Sequence, residues 1–311
     1  MRIAVFGTGG VGGYFGGKLA QAGEDVTFIA RGKHLQAIRA DGLQVDSING
    51  DFMVKPAQAT DNPAEVGPVD LVLAATKAWQ VPEAAEAMKP LIGPQTMVLP
   101  LGNGIEHLDQ FEQALGREHL LGGLSRISAF IAGPGHIRHV GIPPYIAFGE
   151  LDHHPSARVE ALRQIFARIP DIKVELPGDI HVAMWEKFVF IAAVSGVGAV
   201  TRQPMGVYRS MPETRAMLSA ALEEVAAVGR AREVALAPDI SKKILANNID
   251  PAGAGVMASM QKDIMEGKPS ELEAQTGAVI RMGRAAGVAT PTHDFLYASL
   301  LPMEMKARGQ A

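Results

Sequence analysis

The chain opens on a strand, a glycine-rich turn and a helix in direct succession, and no other feature of its 311 residues restricts the fold as strongly. Ile3-Ala4-Val5-Phe6 is the apolar run that a buried parallel strand requires. It leads into Gly7-Thr8-Gly9-Gly10-Val11-Gly12, which satisfies G-x-G-x-x-G, and the residues that follow have helical spacing. In this arrangement Gly7 permits the tight turn and Gly9 lets backbone N–H groups approach a pyrophosphate. Gly12 lets the helix pack closely on the strand. The partly positive helix N-terminus then faces the phosphates. The hexapeptide alone is a common sequence, and an ordinary glycine-rich connection is its alternative. The strand before it and the helix after it make dinucleotide binding the expectation.

The second strand bears on which dinucleotide. Asp25-Val26-Thr27-Phe28-Ile29-Ala30 ends about 20 residues after the glycines, where NAD-binding chains usually carry an acidic residue for the ribose 2′-hydroxyl. Here Ala30 is followed by Arg31, Gly32, Lys33 and His34. A carboxylate would repel a 2′-phosphate, whereas a guanidinium offers charge-assisted hydrogen bonds worth roughly 1.5–3 kcal/mol each. The expected cofactor is NADP(H), and a solvated loop charge is the other reading of Arg31.

At this length two domains are expected. Net charge is −4 with interspersed signs, and no basic stripe suggests nucleic acid or an anionic membrane as partner. The absence of cysteine excludes disulfides, thiolate metal sites and cysteine nucleophiles. The N-terminal apolar run is too short for a signal peptide, and Phe188 to Thr201, the longest nearly uncharged stretch, is too short to span a bilayer. A cytoplasmic protein is expected. A homodimer is compatible with the sequence, though no helix face is apolar enough to demand one.

Further strands are expected at Val69–Ala75 and Thr96–Leu99, and helices at His34–Ala40, Trp79–Met88, Ile105–Leu115 and Ala157–Ile169. Strands alternating with helices imply βαβ units and a parallel sheet. Ser125–Ile131, Gly133-Pro134-Gly135 and His136–Val140 read as a hairpin, with Tyr145–Phe148 as one more strand, together an antiparallel extension at the sheet edge. After Leu176-Pro177-Gly178 only helical patterns follow: Asp179–Val200, Pro212–Arg232, Ile240–Asn247, Ala254–Glu266, Ser270–Gly287 and Pro291–Lys306. Gly287 is expected as a C-cap and Pro291 as a helix start. The expected plan is α/β: a Rossmann-like dinucleotide-binding domain over 1–177, then an all-α domain over 178–311.

A nicotinamide cofactor leaves the protein to hold an acceptor carbonyl and to move a proton. Lys187, in Trp185-Glu186-Lys187-Phe188, precedes a run without charge until Arg202, and shares a helix face with Ile191 and Ser195. Desolvation at the mouth of an apolar site would tune such an amine as a general acid. The same lysine could instead snorkel to the surface or pair with a structural carboxylate. Asn103, in Leu101-Gly102-Asn103-Gly104, follows a strand end where ligands of open α/β sheets bind, and is also a good turn residue. Lys77 and Gln80 follow another strand and could reach the cofactor. Glu271 begins a helix behind Ser270, so helix initiation also explains it. His136, His139, His153 and His154 lack carboxylates or thiolates at ligand spacing, and no metal is expected. Met257, Met260 and Met265 are expected as core filler.

Together these residues resemble the ketopantoate reductase (2-dehydropantoate 2-reductase) family over nearly the whole chain. The likeness rests on Arg31, Lys77-Ala78-Trp79-Gln80, Asn103-Gly104 with Glu106, and Trp185-Glu186-Lys187. Ser259-Met260-Gln261-Lys262-Asp263, Glu271 and the closing Gly287-Val288-Ala289-Thr290-Pro291 complete it. The resemblance implies NADPH-dependent reduction of a 2-oxo acid to a 2-hydroxy acid in pantothenate biosynthesis. It implies Lys187 as general acid, Asn103 as the group that positions the acceptor, and Ser259 and Glu271 as holders of its carboxylate and hydroxyl ends. Arg31, Lys77, Gln80 and Asn103 would join the Gly7–Gly12 turn in the cofactor site.

Family members often carry asparagines four and eight residues after the lysine, where this chain has Ile191 and Ser195. Losing an amide from a buried site typically costs about 1–3 kcal/mol of recognition. After Gly141 a second glycine is also more usual than Ile142. These departures leave a different branched or bulkier 2-oxo acid as an alternative. A non-catalytic NADPH-binding regulator and an opine- or hydroxyacid-dehydrogenase-like reaction are further ones.

Overall fold

A computed structural model describes residues 1–310 of the chain. Its contacts divide into two compact units, one of residues 1–102 and 107–180, the other of residues 103–106 and 181–311.

The first unit is built from buried apolar runs that can only be satisfied inside a covered parallel sheet. Its strands and helices are β1 (Arg2–Phe6), α1 (Gly10–Gln21), β2 (Asp25–Ile29), α2 (Gly32–Asp41), β3 (Leu43–Ser47), β4 (Phe52–Val54), β5 (Gln58–Thr60), β6 (Leu71–Ala74), α3 (Val81–Met88), β7 (Met97–Pro100), α4 (His107–Leu115), β8 (Gly122–Gly133), β9 (His136–Gly149), α5 (Ala157–Ala167) and β10 (Lys173–Glu175). The parallel sheet has the order β5-β2-β1-β6-β7. β1 pairs with β2 through Ile3↔Val26 and with β6 through Ile3↔Leu71, so the strand order reverses at β1. Open α/β sheets bind ligands beyond the strand ends at such a reversal. Ile3, Val5, Phe15, Leu19, Phe28, Leu71, Leu73 and Leu99 form part of the core beneath it.

The hairpin belongs to a second sheet, β10-β9-β3-β4 with β8 on β9, and not to an extension of the parallel one. Tyr145–Phe148 is the second half of the 14-residue β9, which pairs in parallel with β3 by its first half and with β10 by its second. β4, β5 and β10, at three residues each, are too short to announce themselves by alternation, and the five residues of β3 (Leu43–Ser47) include Gln44, Asp46 and Ser47, so no apolar run marks it.

The second unit is helical: α6 (Ile180–Thr201), α7 (Met205–Tyr208), α8 (Pro212–Ala231), α9 (Ile240–Ile244), α10 (Ser259–Met265), α11 (Ala278–Ala285) and α12 (Pro291–Ala307). By length and composition the 22-residue α6 could cross a membrane, yet 67% of its most apolar 18-residue stretch is buried in the protein. Trp185, Phe188, Val189, Ala193 and Val197 of α6 pack there with Leu218, Leu222 and Val225 of α8, which accounts for that apolarity. The expected helix from Ala254 starts only at Ser259, and Met265 is exposed while Met260 is fully buried. The Ser270–Gly287 segment begins with a wide π turn over Glu273–Gly277 before α11. Gly287 closes that segment with φ +69°, and Pro291 opens α12.

Candidate active site

At the end of β1 the chain turns at Gly7 with φ +95°, a conformation that disfavours a side chain, and a Cβ there would lie 2.9 Å from the Ala75 carbonyl. Thr8 is buried and its Oγ1 donates to the Ile29 carbonyl at 3.0 Å, tying the turn to β2. Gly9 caps α1, and a Cβ built on it meets nothing within 4 Å. Gly10 lies against the Ala129 backbone of β8, and half-buried Val11 packs on the core. A Cβ on Gly12 would come within 2.3 Å of the Gly7 carbonyl oxygen, so the helix and turn touch without intervening side chains. No acidic residue stands in the first turn of α1. Open space in front of backbone N–H groups at an uncontested helix N-terminus fits a pyrophosphate.

Arg31 is exposed at the start of α2, and its Nη2 reaches Glu83 Oε1 of α3 at 3.2 Å. Ala30, not an acidic residue, directly follows β2 and is buried. Lys77 and Gln80 are exposed in the segment after β6, with Lys77 Nζ 5.6 Å from the centre of the Trp79 ring.

The helical unit includes Asn103–Glu106. Asn103 Nδ2 donates to Glu271 Oε2 at 3.2 Å, and Gln275 Nε2 donates to the same oxygen at 3.3 Å. Glu271 and Gln275 are buried, and Asn103 is half-buried. Gly104 takes φ +105°, and a Cβ on it would be 3.0 Å from the Ala274 carbonyl oxygen, so this turn sits directly on the π turn. Arg281 fastens the two segments: Nη2 bonds Glu106 Oε2 at 2.7 Å and Nη1 bonds Glu273 Oε2 at 2.8 Å. Glu106 foremost, then Glu273, raises the Arg281 pKa above the usual guanidinium value.

Lys187, Ile191 and Ser195 lie on one unbroken helix at intervals of four, hence on one face. Lys187 and Ile191 are half-buried, whereas Ser195 is fully buried and its Oγ has no hydrogen-bond partner among the described residues. Ser259 is exposed at the first position of α10 and makes no hydrogen bond to Asn103, Lys187 or Glu271. Ser270 does cap the next segment, its Oγ accepting from Leu272 N at 3.2 Å, and it donates to the buried Glu304. The sequence reading passes over Gln275 and Arg281. A Gln four residues after Glu271 on a helical stretch was the available signal for the first, and Arg281 carried none.

A Rossmann-like unit with an open phosphate turn, together with a helical unit holding a buried carboxylate between two amides, is the plan of a two-domain dinucleotide-dependent oxidoreductase. Residues 3–153 match the family model described as ketopantoate reductase PanE/ApbA, and residues 179–304 match its C-terminal counterpart. The chain belongs to the ketopantoate reductase family and is an oxidoreductase. It is 29% identical over 300 residues to the uncharacterized oxidoreductase YkpB of Bacillus subtilis, covering 96% of this chain and 98% of that one. The 2-dehydropantoate 2-reductase of Geobacter metallireducens superimposes with TM-score 0.90 at 30% identity, covering 97% and 99% of the two chains. A D-mandelate dehydrogenase solved with NADH and anilino(oxo)acetate gives TM-score 0.89 at 25% identity, with 99% of each chain covered.

Proposed function

We propose that this protein reduces 2-dehydropantoate to pantoate with NADPH, as a cytoplasmic step of pantothenate biosynthesis. The observation that carries the reading is the Asn103–Glu271 hydrogen bond, which joins the two segments that the family resemblance names for holding the oxo acid. The open turn at Gly9 supports the cofactor assignment, and Arg31 in place of an acidic residue supports a 2′-phosphate.

The bound cofactor supplies hydride from its reduced nicotinamide. The chain supplies the remainder of the chemistry. The Gly7–Gly12 turn would hold the pyrophosphate, and Arg31, Lys77 and Gln80 would hold other parts of the dinucleotide. Lys187 donates the proton that the carbonyl oxygen needs as it gains charge, a role typically worth about 10²–10⁴ in rate. Asn103 orients the carbonyl, while Glu271 and Ser259 hold the hydroxyl and carboxylate ends. Lys187 is half-buried, and Phe188 and Val189 beside it belong to the apolar core of the helical unit, which limits water on that side of the lysine and strengthens its hydrogen bonds.

A second reading keeps the chemistry and changes the acid. Half-buried Ile191 and fully buried Ser195 stand on the lysine face where family members often carry asparagines, and the loss of those amides favours a bulkier or more apolar 2-oxo acid. The D-mandelate dehydrogenase bound to anilino(oxo)acetate supports that range on this fold. NADPH oxidation measured across 2-dehydropantoate, 2-oxoisovalerate, 2-oxoisocaproate and phenylglyoxylate separates the two. A kcat/KM highest for 2-dehydropantoate upholds the first reading, and one highest for an acid without its hydroxyl replaces it.

A further inference from the structure

Gln275 is fully buried, an unusual setting for an amide that has one partner only. Its Nε2 donates to Glu271 Oε2 at 3.3 Å, while its Oε1 accepts no hydrogen bond from any described residue. The amide orientation is dictated, because turning it over would set its oxygen against a carboxylate oxygen. An apolar side chain would fill the same volume without a buried unpaired carbonyl, so the amide is destabilising unless its donor is needed. The backbone arranges the contact. Gln275 N bonds the Glu271 carbonyl at 3.0 Å, which stacks the two side chains one helical turn apart. Gly277 N then reaches back to the Leu272 carbonyl at 2.9 Å, widening the next turn. Such single widened turns are frequent at functional sites.

We propose that Gln275 is a positioning residue of the active site. Its buried amide meets, at one carboxylate oxygen, the amide of Asn103, and the two donors together fix the plane in which Glu271 engages the 2-oxo acid. This rests on the reductase reading above. Asn103 sits on a turn held by Arg281, whereas Gln275 rises from the helix that carries Glu271 itself, so the carboxylate is pinned from two independent segments. A carboxylate held in one plane needs no reorganisation when substrate arrives.

Gln275→Met keeps the length and removes both the donor and the unpaired oxygen. Its melting temperature should equal or exceed that of wild type, and NADPH affinity by fluorescence titration should stay within about twofold. Its kcat/KM for the oxo acid should fall by about 10- to 100-fold, the span of a lost hydrogen bond to a charged group. In a Glu271→Ala background the same substitution should cost less than about twofold, because there is no carboxylate left to orient. Gln275→Glu, equal in size with a like charge in place of the donor, should lose more activity than Gln275→Met while still binding NADPH. An unchanged kcat/KM in Gln275→Met, or a full second loss in the Glu271→Ala background, would overturn the positioning role. Wild-type protein that binds NADPH yet reduces no oxo acid would overturn the reductase reading, and this role with it.

Discussion

Gly9→Ala separates the folding role of the glycine-rich turn from its binding role. Gly9 has φ −85° and ψ −161°, an extended conformation open to alanine, and its built Cβ meets nothing within 4 Å. The substitution therefore introduces no clash into the protein alone, and reduced freedom of the unfolded chain could add about 0.4–1 kcal/mol of stability. The methyl projects about 1.5 Å from Cα into the space assigned to the pyrophosphate. A phosphate oxygen bonded to a backbone N–H sits near 2.9 Å, whereas methyl contact requires about 3.5 Å or more, so the phosphate must withdraw. Losing one or two charge-assisted bonds costs about 2–4 kcal/mol, or roughly 30- to 10³-fold in Kd. Thermal melting and NADPH fluorescence titration on the same sample read both quantities. Gly12→Ala is the control: its Cβ would lie 2.3 Å from the Gly7 oxygen, so it should lower both the melting temperature and the affinity. A Gly9→Ala protein that binds NADPH as wild type does would refute the placement of the cofactor on this turn.

Arg31→Asp should weaken NADPH binding far more than NADH binding, and equal losses would remove the 2′-phosphate assignment. Glu83→Gln releases Arg31 from its 3.2 Å ion pair, and should raise the NADPH-to-NADH affinity ratio by a few fold, about what an exposed charge pair is worth. Glu224 caps α12, accepting from Thr292 N at 2.7 Å, from His293 N at 3.0 Å and from the His293 ring at 2.8 Å. Burial pushes its pKa up, but the hydrogen bonds of His293 and Thr292 together outweigh that and hold it below the usual carboxylate range. A depressed carboxyl stabilises the fold above its unfolded pKa, near 4.5, and that contribution disappears as pH falls through the folded value. Glu224→Gln should therefore lower stability at pH 7 by about 1–3 kcal/mol and flatten the acid limb of the melting profile, and an unaltered limb would show that another group controls it.

The first unit was legible in the sequence wherever a strand carried a run of apolar residues. The strands at β1, β2, β6 and β7 were expected within a residue or two because apolar residues dominate each, β6 and β7 being buried throughout. Of the second sheet the β8–β9 hairpin was expected, but β3 and β4 were not, since they gain their order only by pairing with each other and with β9, far along the chain. The helical unit showed its apolar periods but not its irregularities. The π turn before α11 depends on backbone bonds such as Gly277 to Leu272, which no side-chain pattern encodes. Asn103 was a candidate from local context and Glu271 gained a role only through the family resemblance, while their pairing across 168 positions required coordinates. Ser259 came from resemblance, and its exposed position adds no hydrogen bond to that pair.

Single-turnover oxidation of NADPH by Lys187→Ala, with saturating oxo acid, tests the proposed proton donor on α6 most directly. The rate should fall by about 10²–10⁴-fold while the NADPH Kd stays within about twofold of wild type. A rate near that of wild type would mean that the proton comes from elsewhere, and Lys187 would be a helix residue like its neighbours.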